Sequence, residues 1–160
     1  MYEWVRLLHI ASAFGFVLAH GASGAVALML RKEREPSRVA ALLDLSRAAL
    51  GPATWTAALV MLASGIWLGF LADWWGRWWI WISIVTLVVV MGAMTPLGAL
   101  PLNRIREAVG IAADPKKPAP TPATPSELEA ILDRWDPRPL TTVGLGGLLL
   151  IIALMVLKPF

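Results

Sequence analysis

Four long apolar blocks separated by polar stretches organise the chain: residues 5–30, about 52–72, about 78–100 and about 140–157. A helix needs about 20 apolar residues to cross the hydrocarbon core of a bilayer, and each block approaches or exceeds that length. The pattern therefore predicts an all-α fold, a four-transmembrane-helix bundle, with residues 1–160 forming a single integral membrane domain. The polar stretches between the blocks carry shorter amphipathic patterns. Pro36 and Ser37 mark a helix start, and Val39, Leu42, Leu43, Leu45 and Leu50 give it an apolar side. This helix could lie flat on the membrane and run into the second span, with Pro52 near that span's start, where proline is tolerated.

After the third block, residues 103–110 read as a short basic continuation of its helix. Residues 114–125, with proline at 115, 118, 120, 122 and 125, read as an extended linker. Ser126-Glu127-Leu128-Glu129 resembles a capping box, and Leu128, Ile131, Leu132 and Trp135 follow at helical spacing. This predicts a short amphipathic helix over about 126–135, resting at the inner interface or docking a partner subunit. Pro137 and Pro139 punctuate the entry to the fourth span.

Composition agrees with the pattern. Hydrophobic residues make up 58% of the chain and the mean hydropathy is +0.66, more apolar than a soluble domain of this length. The first block exceeds the usual signal-peptide core and Glu3 spoils a basic leader, so it reads as a retained span. With no cysteine, disulfides, cysteine zinc sites, iron–sulfur clusters and c-type haem attachment are excluded.

The net charge of +3 points to membrane topology and not to nucleic acid. Arg31, Lys32, Arg34, Arg38, Arg47, Arg104, Arg106, Lys116, Lys117, Arg134 and Arg138 flank or occupy the two long loops; Arg6, Arg77 and Lys158 lie on the other side. Eleven cations against three place the long loops in the cytoplasm and both termini outside a cytoplasmic (inner) membrane. Trp4, Trp74, Trp75, Trp78, Trp79 and Trp81 fall near the predicted outer surface, as an interfacial aromatic belt does. Such a cluster could also pack on a porphyrin or quinone.

The candidate chemistry lies in the first block, which holds both histidines of the chain, His9 and His20. A titratable side chain at membrane depth is a functional candidate by default. Eleven residues at about 100° each return to within about 20° of the starting direction, so both imidazoles leave one helix face, about 16 Å apart along the axis. Neutral imidazole ligates haem iron and copper, and at that separation the two side chains are too far apart to share one metal within a chain. At about 1.5 Å per residue, His20 and Met91 lie at depths of about 22 and 20 Å, and His9 and Met155 at about 6 and 4 Å. His/Met ligation of haem iron is an established pairing. The cofactor-binding candidates are therefore His9, His20, Met91 and Met155, the histidines as ligands of haem iron or copper.

The same residues have a plainer reading. Methionine fills gaps in apolar cores, and a buried histidine can hydrogen-bond a backbone carbonyl or a hydroxyl of a neighbouring helix. Ser12, Ser23, Ser64, Ser83, Thr86 and Thr95 are available for that. Small residues at packing spacing (Ala11, Gly15 and Ala19; Gly65 and Gly69; Gly144, Gly146 and Gly147) let helices approach closely or leave room for a flat cofactor. No acidic residue lies within a span, which argues against a carboxylate proton relay. No phosphate-binding glycine loop, HExxH motif or Ser/His/Asp set suggests an independent catalytic centre.

The stretches Tyr2-Glu3-Trp4-Val5-Arg6-Leu7-Leu8-His9, Trp78-Trp79-Ile80-Trp81, Asn103-Arg104-Ile105-Arg106-Glu107-Ala108-Val109-Gly110 and Leu154-Met155-Val156-Leu157-Lys158-Pro159 resemble a family of small, uncharacterised bacterial four-helix integral membrane proteins, a resemblance that implies no activity. More loosely, Leu8-His9 before a glycine-rich half is similar to copper-resistance proteins of the CopD type and to HemJ-type protoporphyrinogen oxidases, which are haem-associated. Only His9 carries over. Phe16 stands where those proteins often have tryptophan, His20 has no counterpart, and the oxidase activity is not transferred.

Three functions are thus expected, in order. The first is a bundle binding b-type haem through His9, His20 or both, acting in electron transfer or as a small subunit of a membrane redox complex. The second is a cofactor-free structural or accessory subunit, and the third a copper-handling protein. Each works within the lipid bilayer, alone or in a larger complex or homo-oligomer.

Overall fold

The computed structural model describes residues 1–114 and 116–159, the side chain of Ala49 apart. Pro115, within the predicted linker, lies outside the described residues. Among the described residues seven α-helices follow in order: α1 (Tyr2–Leu30), α2 (Pro36–Asp44), α3 (Gly51–Leu71), α4 (Trp78–Met94), α5 (Leu100–Ala108), α6 (Pro125–Arg134) and α7 (Arg138–Leu157). The described residues contain no strand. Four helical rods are long and apolar enough to span a membrane: Tyr2–Leu30, Pro36–Leu71, Trp78–Ala108 and Arg138–Leu157.

Two of those rods are compound. α2 runs into α3 through a π-helical turn, Leu45–Leu50, and α4 runs into α5 through another, Thr95–Ala99. Pro52 follows the first turn, and Pro96 and Pro101 lie in and after the second. A proline lacks the N–H for the bond to residue i−4, and its ring crowds that carbonyl. A widened π turn accommodates the defect without breaking the rod. The helix over 36–44 is thus the first part of the second rod.

α1 lies along α3, α4 lies along α7, and the two pairs meet where α1 touches α7. Glycines set several of these approaches. A Cβ on Gly147 of α7 would overlap Val90 of α4, one on Gly98 would come within 2.9 Å of Leu140, and one on Gly69 within 3.0 Å of the Trp75 ring. Of the small residues predicted at packing positions, Gly69 and Gly147 are therefore notches filled by neighbouring side chains, whereas nothing lies within 4 Å of a Cβ on Gly146.

The largest buried cluster sits at the end of the bundle that carries the two long loops. Val26, Ala27 and Leu30 of α1 meet Val39 and Leu43 of α2, Ile105 and Ala108 of α5, Leu128 and Leu132 of α6, and Trp135. The stripe on α6 is the predicted one, but it faces this cluster and not a membrane surface. Leu128 and Leu132 are buried by α1, α2 and α5, each worth about 1.5–3 kcal/mol of transfer free energy. The helix begins two residues earlier than its capping pattern suggested. Thr124 is the N-cap, its hydroxyl accepts from the Glu127 N–H, and the Glu127 carboxylate accepts from the Thr124 N–H. Pro125 takes the first helical position, where its missing N–H costs nothing.

The described residues before α6 form no regular element, yet they are tied down. The Ala123 N–H donates to the Ala108 carbonyl at 2.9 Å and the Ile111 N–H to that of Arg106 at 2.9 Å. Arg47 reaches Ala112 O at 3.1 Å. Gly110 takes a φ of +80°, and a Cβ there would meet Pro122 at 2.8 Å. Ion pairs clamp α6 and its exit to the α1–α2 corner: Arg34 to Asp133 at 2.7 Å and to Glu129 at 3.6 Å, and Arg31 to Asp136.

Tryptophans gather at the opposite end, which holds both termini. Trp74 meets Trp79 edge-on at 5.3 Å, Trp75 meets Trp81 at 5.5 Å, and Lys158 Nζ lies 3.9 Å above the Trp74 ring. Trp4 and Trp78 are exposed, as an interfacial belt requires, but Trp79 is buried at 2% exposure beside Ile80 and Leu154. Its role is packing.

Candidate functional site: the helix-1 histidines

Both histidines are partly buried on α1, and the structure gives them different neighbours. His9 faces α3. Its Nδ1 lies 2.9 Å from Met61 O and 3.2 Å from Ser64 Oγ. The Ser64 hydroxyl donates to its own helix, at 2.6 Å to Val60 O. With that proton committed, both groups near Nδ1 are acceptors, so Nδ1 carries the imidazole hydrogen and Nε2 the lone pair. The ring sits over Gly65, where a Cβ would come within 2.9 Å of His9 Cε1.

His20 faces α7. A Cβ on Gly144 would overlap His20 Nε2, so that nitrogen abuts the α7 backbone. The ring stacks on Phe16, one turn back on α1, with centroids 5.5 Å apart and planes 8° from parallel. His20 makes no hydrogen bond among the described residues. Three of the other hydroxyls named from the sequence serve their own helices: Ser12 donates to His9 O, Ser23 to Ala19 O and Ser83 to Trp79 O.

The common stripe on α1 thus lies over a seam, with α3 taking one ring and α7 the other. Met155 packs with Trp79, Ile80 and Leu154 in the tryptophan-rich end, whereas the neighbours of His9 are on α3. Met91 comes nearer to its predicted partner in level. It follows Val90, whose side chain enters α7 at Gly147, one turn from the Gly144 that receives His20. Among the described residues, no group of three or more His, Asp or Glu side chains is placed to hold a metal ion.

A macrocycle is not easily fitted to this arrangement. The notches at Gly65 and Gly144 are occupied by the imidazoles themselves, and iron on His20 Nε2 would require α7 to move aside. Gly65 and Gly144 are marked in the sequence only as small packing residues, and neither they nor Phe16 carry a signal that names a histidine as neighbour. Depth offers one, because Gly65 lies six residues from the end of α3 and His9 seven residues into α1.

Neither curated proteins nor solved structures include a match to the chain. Over residues 3–159 it matches a family model, and it belongs to that family, described as "Predicted integral membrane protein (DUF2269)".

Proposed function

We propose that the protein is a small accessory subunit of the cytoplasmic membrane whose helix-1 histidines lock α1 against its neighbours. In this reading both termini are outside, the two long loops are cytoplasmic, and the chain works within a larger membrane complex or homo-oligomer. The observation that carries it is the His9 Nδ1 donation to Met61 O at 2.9 Å. The glycine notches at Gly65 and Gly144 that seat the two rings support it. In lipid there is no hydrophobic drive between helices, so close packing and interhelical hydrogen bonds define how they associate. The excess of cations at the loop end supports the orientation.

The test is to purify the full chain from cells supplied with haem and copper, then record its absorption spectrum and elemental content. A colourless, metal-free protein that cross-links to a fixed membrane partner or to itself is expected. A Soret band or copper at one equivalent per chain overturns the reading.

One observation favours a second reading, haem b or copper bound through His20 once α7 has moved aside from Nε2, in electron transfer. An imidazole with no hydrogen-bond partner among the described residues is costly at membrane depth, and Met91 lies near its level on α4, beyond the α7 that receives the ring. If a Soret band appears, a pyridine haemochrome assay identifies b-type haem. Comparing His20→Ala with His9→Ala then shows which imidazole ligates.

A further inference from the structure

A cleft of about 630 Å³ opens at the loop end of the bundle, between the last turn of α1 and the first residue of α7. That volume falls within the range of small-molecule sites, about 300–1,000 Å³. Its walls are of two kinds. Leu28 and Met29, 44% and 58% exposed, form an apolar side, while Arg31, Lys32, Arg34 and Arg138 form a basic one.

The four cations are not equivalent. Arg31 is paired with Asp136, and Arg34 with Asp133 and Glu129. Lys32 and Arg138 have no ion-pair partner among the described residues, and both are exposed. Arg138 is tied locally through its backbone, whose N–H donates to Asp136 Oδ1 at 3.1 Å and whose carbonyl accepts from Thr141 Oγ1 at 2.9 Å, and its charge adds only a minor share to the field that Arg31 sets at Asp136. The acidic residues nearby are therefore already engaged by the arginines that frame the cleft, which leaves two free cations across it.

We propose that this cleft binds one anionic phospholipid, its phosphate held by Lys32 and Arg138 and an acyl chain lying along Leu28 and Met29. The boundary position suits an amphiphile. The apolar wall is the end of a membrane-spanning helix, and the basic wall begins where that helix leaves the hydrocarbon. A basic cleft between membrane helices at the headgroup level is the kind of surface that recognises anionic headgroups. A free phosphate ion or a glycerophosphate would use the cations alone, so the apolar wall separates the two sources.

The test uses the delipidated full chain in neutral detergent, with native mass spectrometry and titration of phosphatidylglycerol, phosphatidylcholine, inorganic phosphate and glycerol phosphate. Phosphatidylglycerol is expected to bind at one equivalent and the other three much more weakly. The double variant Lys32→Gln/Arg138→Gln should bind it about 30-fold more weakly, from about 1 kcal/mol per cation. Met29→Glu should weaken phosphatidylglycerol binding. Lys116→Gln/Lys117→Gln, which removes the same charge from the linker, should leave affinity within twofold, and thermal unfolding reports whether each variant is folded. Equal losses in the two double variants would mean diffuse attraction and no site. Equal affinity for glycerol phosphate or inorganic phosphate would make the ligand a soluble anion. Either result overturns the proposal.

Discussion

Nδ1 of His9 lies 2.9 Å from the carbonyl oxygen of Met61, so a side chain of α1 is fastened to the backbone of α3 within the apolar part of the bundle. Met61 is itself buried, and the adjoining Gly65 leaves the space the ring fills. Replacing His9 tests what this contact is worth. Interhelical hydrogen bonds in membranes contribute about 0.6 kcal/mol on average and about 1.7 at most, and truncation adds the cost of an unfilled notch. His9→Ala is expected to lose about 1–3 kcal/mol in detergent unfolding titrations. His9→Phe, which refills the notch without the bond, should lose less. If His9→Ala is as stable as the parent, the lock has no energetic meaning.

Gly144 and His20 form the second lock, and here the test is a double-mutant cycle. Gly144→Ala places a methyl group where His20 Nε2 lies, and the stack on Phe16 restricts the ring's escape. Overpacking of this kind costs about 1–3 kcal/mol. His20→Ala in the same chain should recover most of that loss, because it removes the atom that clashes. Gly146→Ala is the matched control: nothing lies within 4 Å of its Cβ position, so stability should be unchanged or raised by up to about 1 kcal/mol from helix propensity.

The histidine face was legible in the sequence because helical periodicity depends on spacing alone. Which neighbour each ring meets was not, because that depends on the rotation and pairing of helices whose spans are apolar nearly all round. α4, for example, exposes Val85, Val88 and Val89 yet buries Trp79, Ile80 and Ser83, a division no charged residue announces. The helix over 125–134 was legible for the opposite reason, since its cap, stripe and flanking prolines all mark it. Its packing partner was missed, because an apolar stripe looks the same whether it meets lipid or Leu30, Leu43 and Ile105.

The cap at the loop end carries the best-buried aliphatic side chains, and this predicts where the protein is most sensitive to truncation. Leu43 and Leu132 have no exposed surface. Leu43→Ala and Leu132→Ala should each cost about 2–5 kcal/mol. Leu59→Ala, with Leu59 62% exposed on the membrane flank of α3, should cost far less. Unfolding titrations in lipid nanodiscs compare the three, and a ranking with Leu59 first would mean that the cap does not hold the fold.

Acid should loosen that cap before it affects the spans. The Arg138 N–H first, and then Arg31, hold the Asp136 carboxyl below its ordinary value. The Thr124 N–H and hydroxyl do the same for Glu127. A carboxyl whose folded-state pKa is depressed stabilises the fold above its unfolded value, about 4 for these residues. That stability is lost as pH falls through the lower folded value. Hydrogen exchange of the 126–134 amides, corrected for intrinsic rate, should therefore show protection constant from pH 7 to about 5 and falling below about 4. Asp136→Asn should lower the neutral-pH protection and flatten the profile.

The absence of cysteine makes orientation directly measurable, because any introduced thiol is the only one present. Lys116 and Lys117 lie in the exposed linker, while Gly76 and Arg77 lie in the exposed turn at the other end of the bundle. With eleven cations at the loop end and three opposite, the orientation proposed above, with the loop end cytoplasmic, is the one charge bias predicts. In intact cells, a membrane-impermeant maleimide should label Arg77→Cys and leave Lys117→Cys unlabelled; both should label once the membrane is opened. Arg77 is itself one of the three cations on its side, so its removal strengthens the bias and leaves the expected topology unchanged. Labelling of Lys117→Cys alone in intact cells would reverse the orientation and place the basic cleft of Lys32 and Arg138 at the outer leaflet.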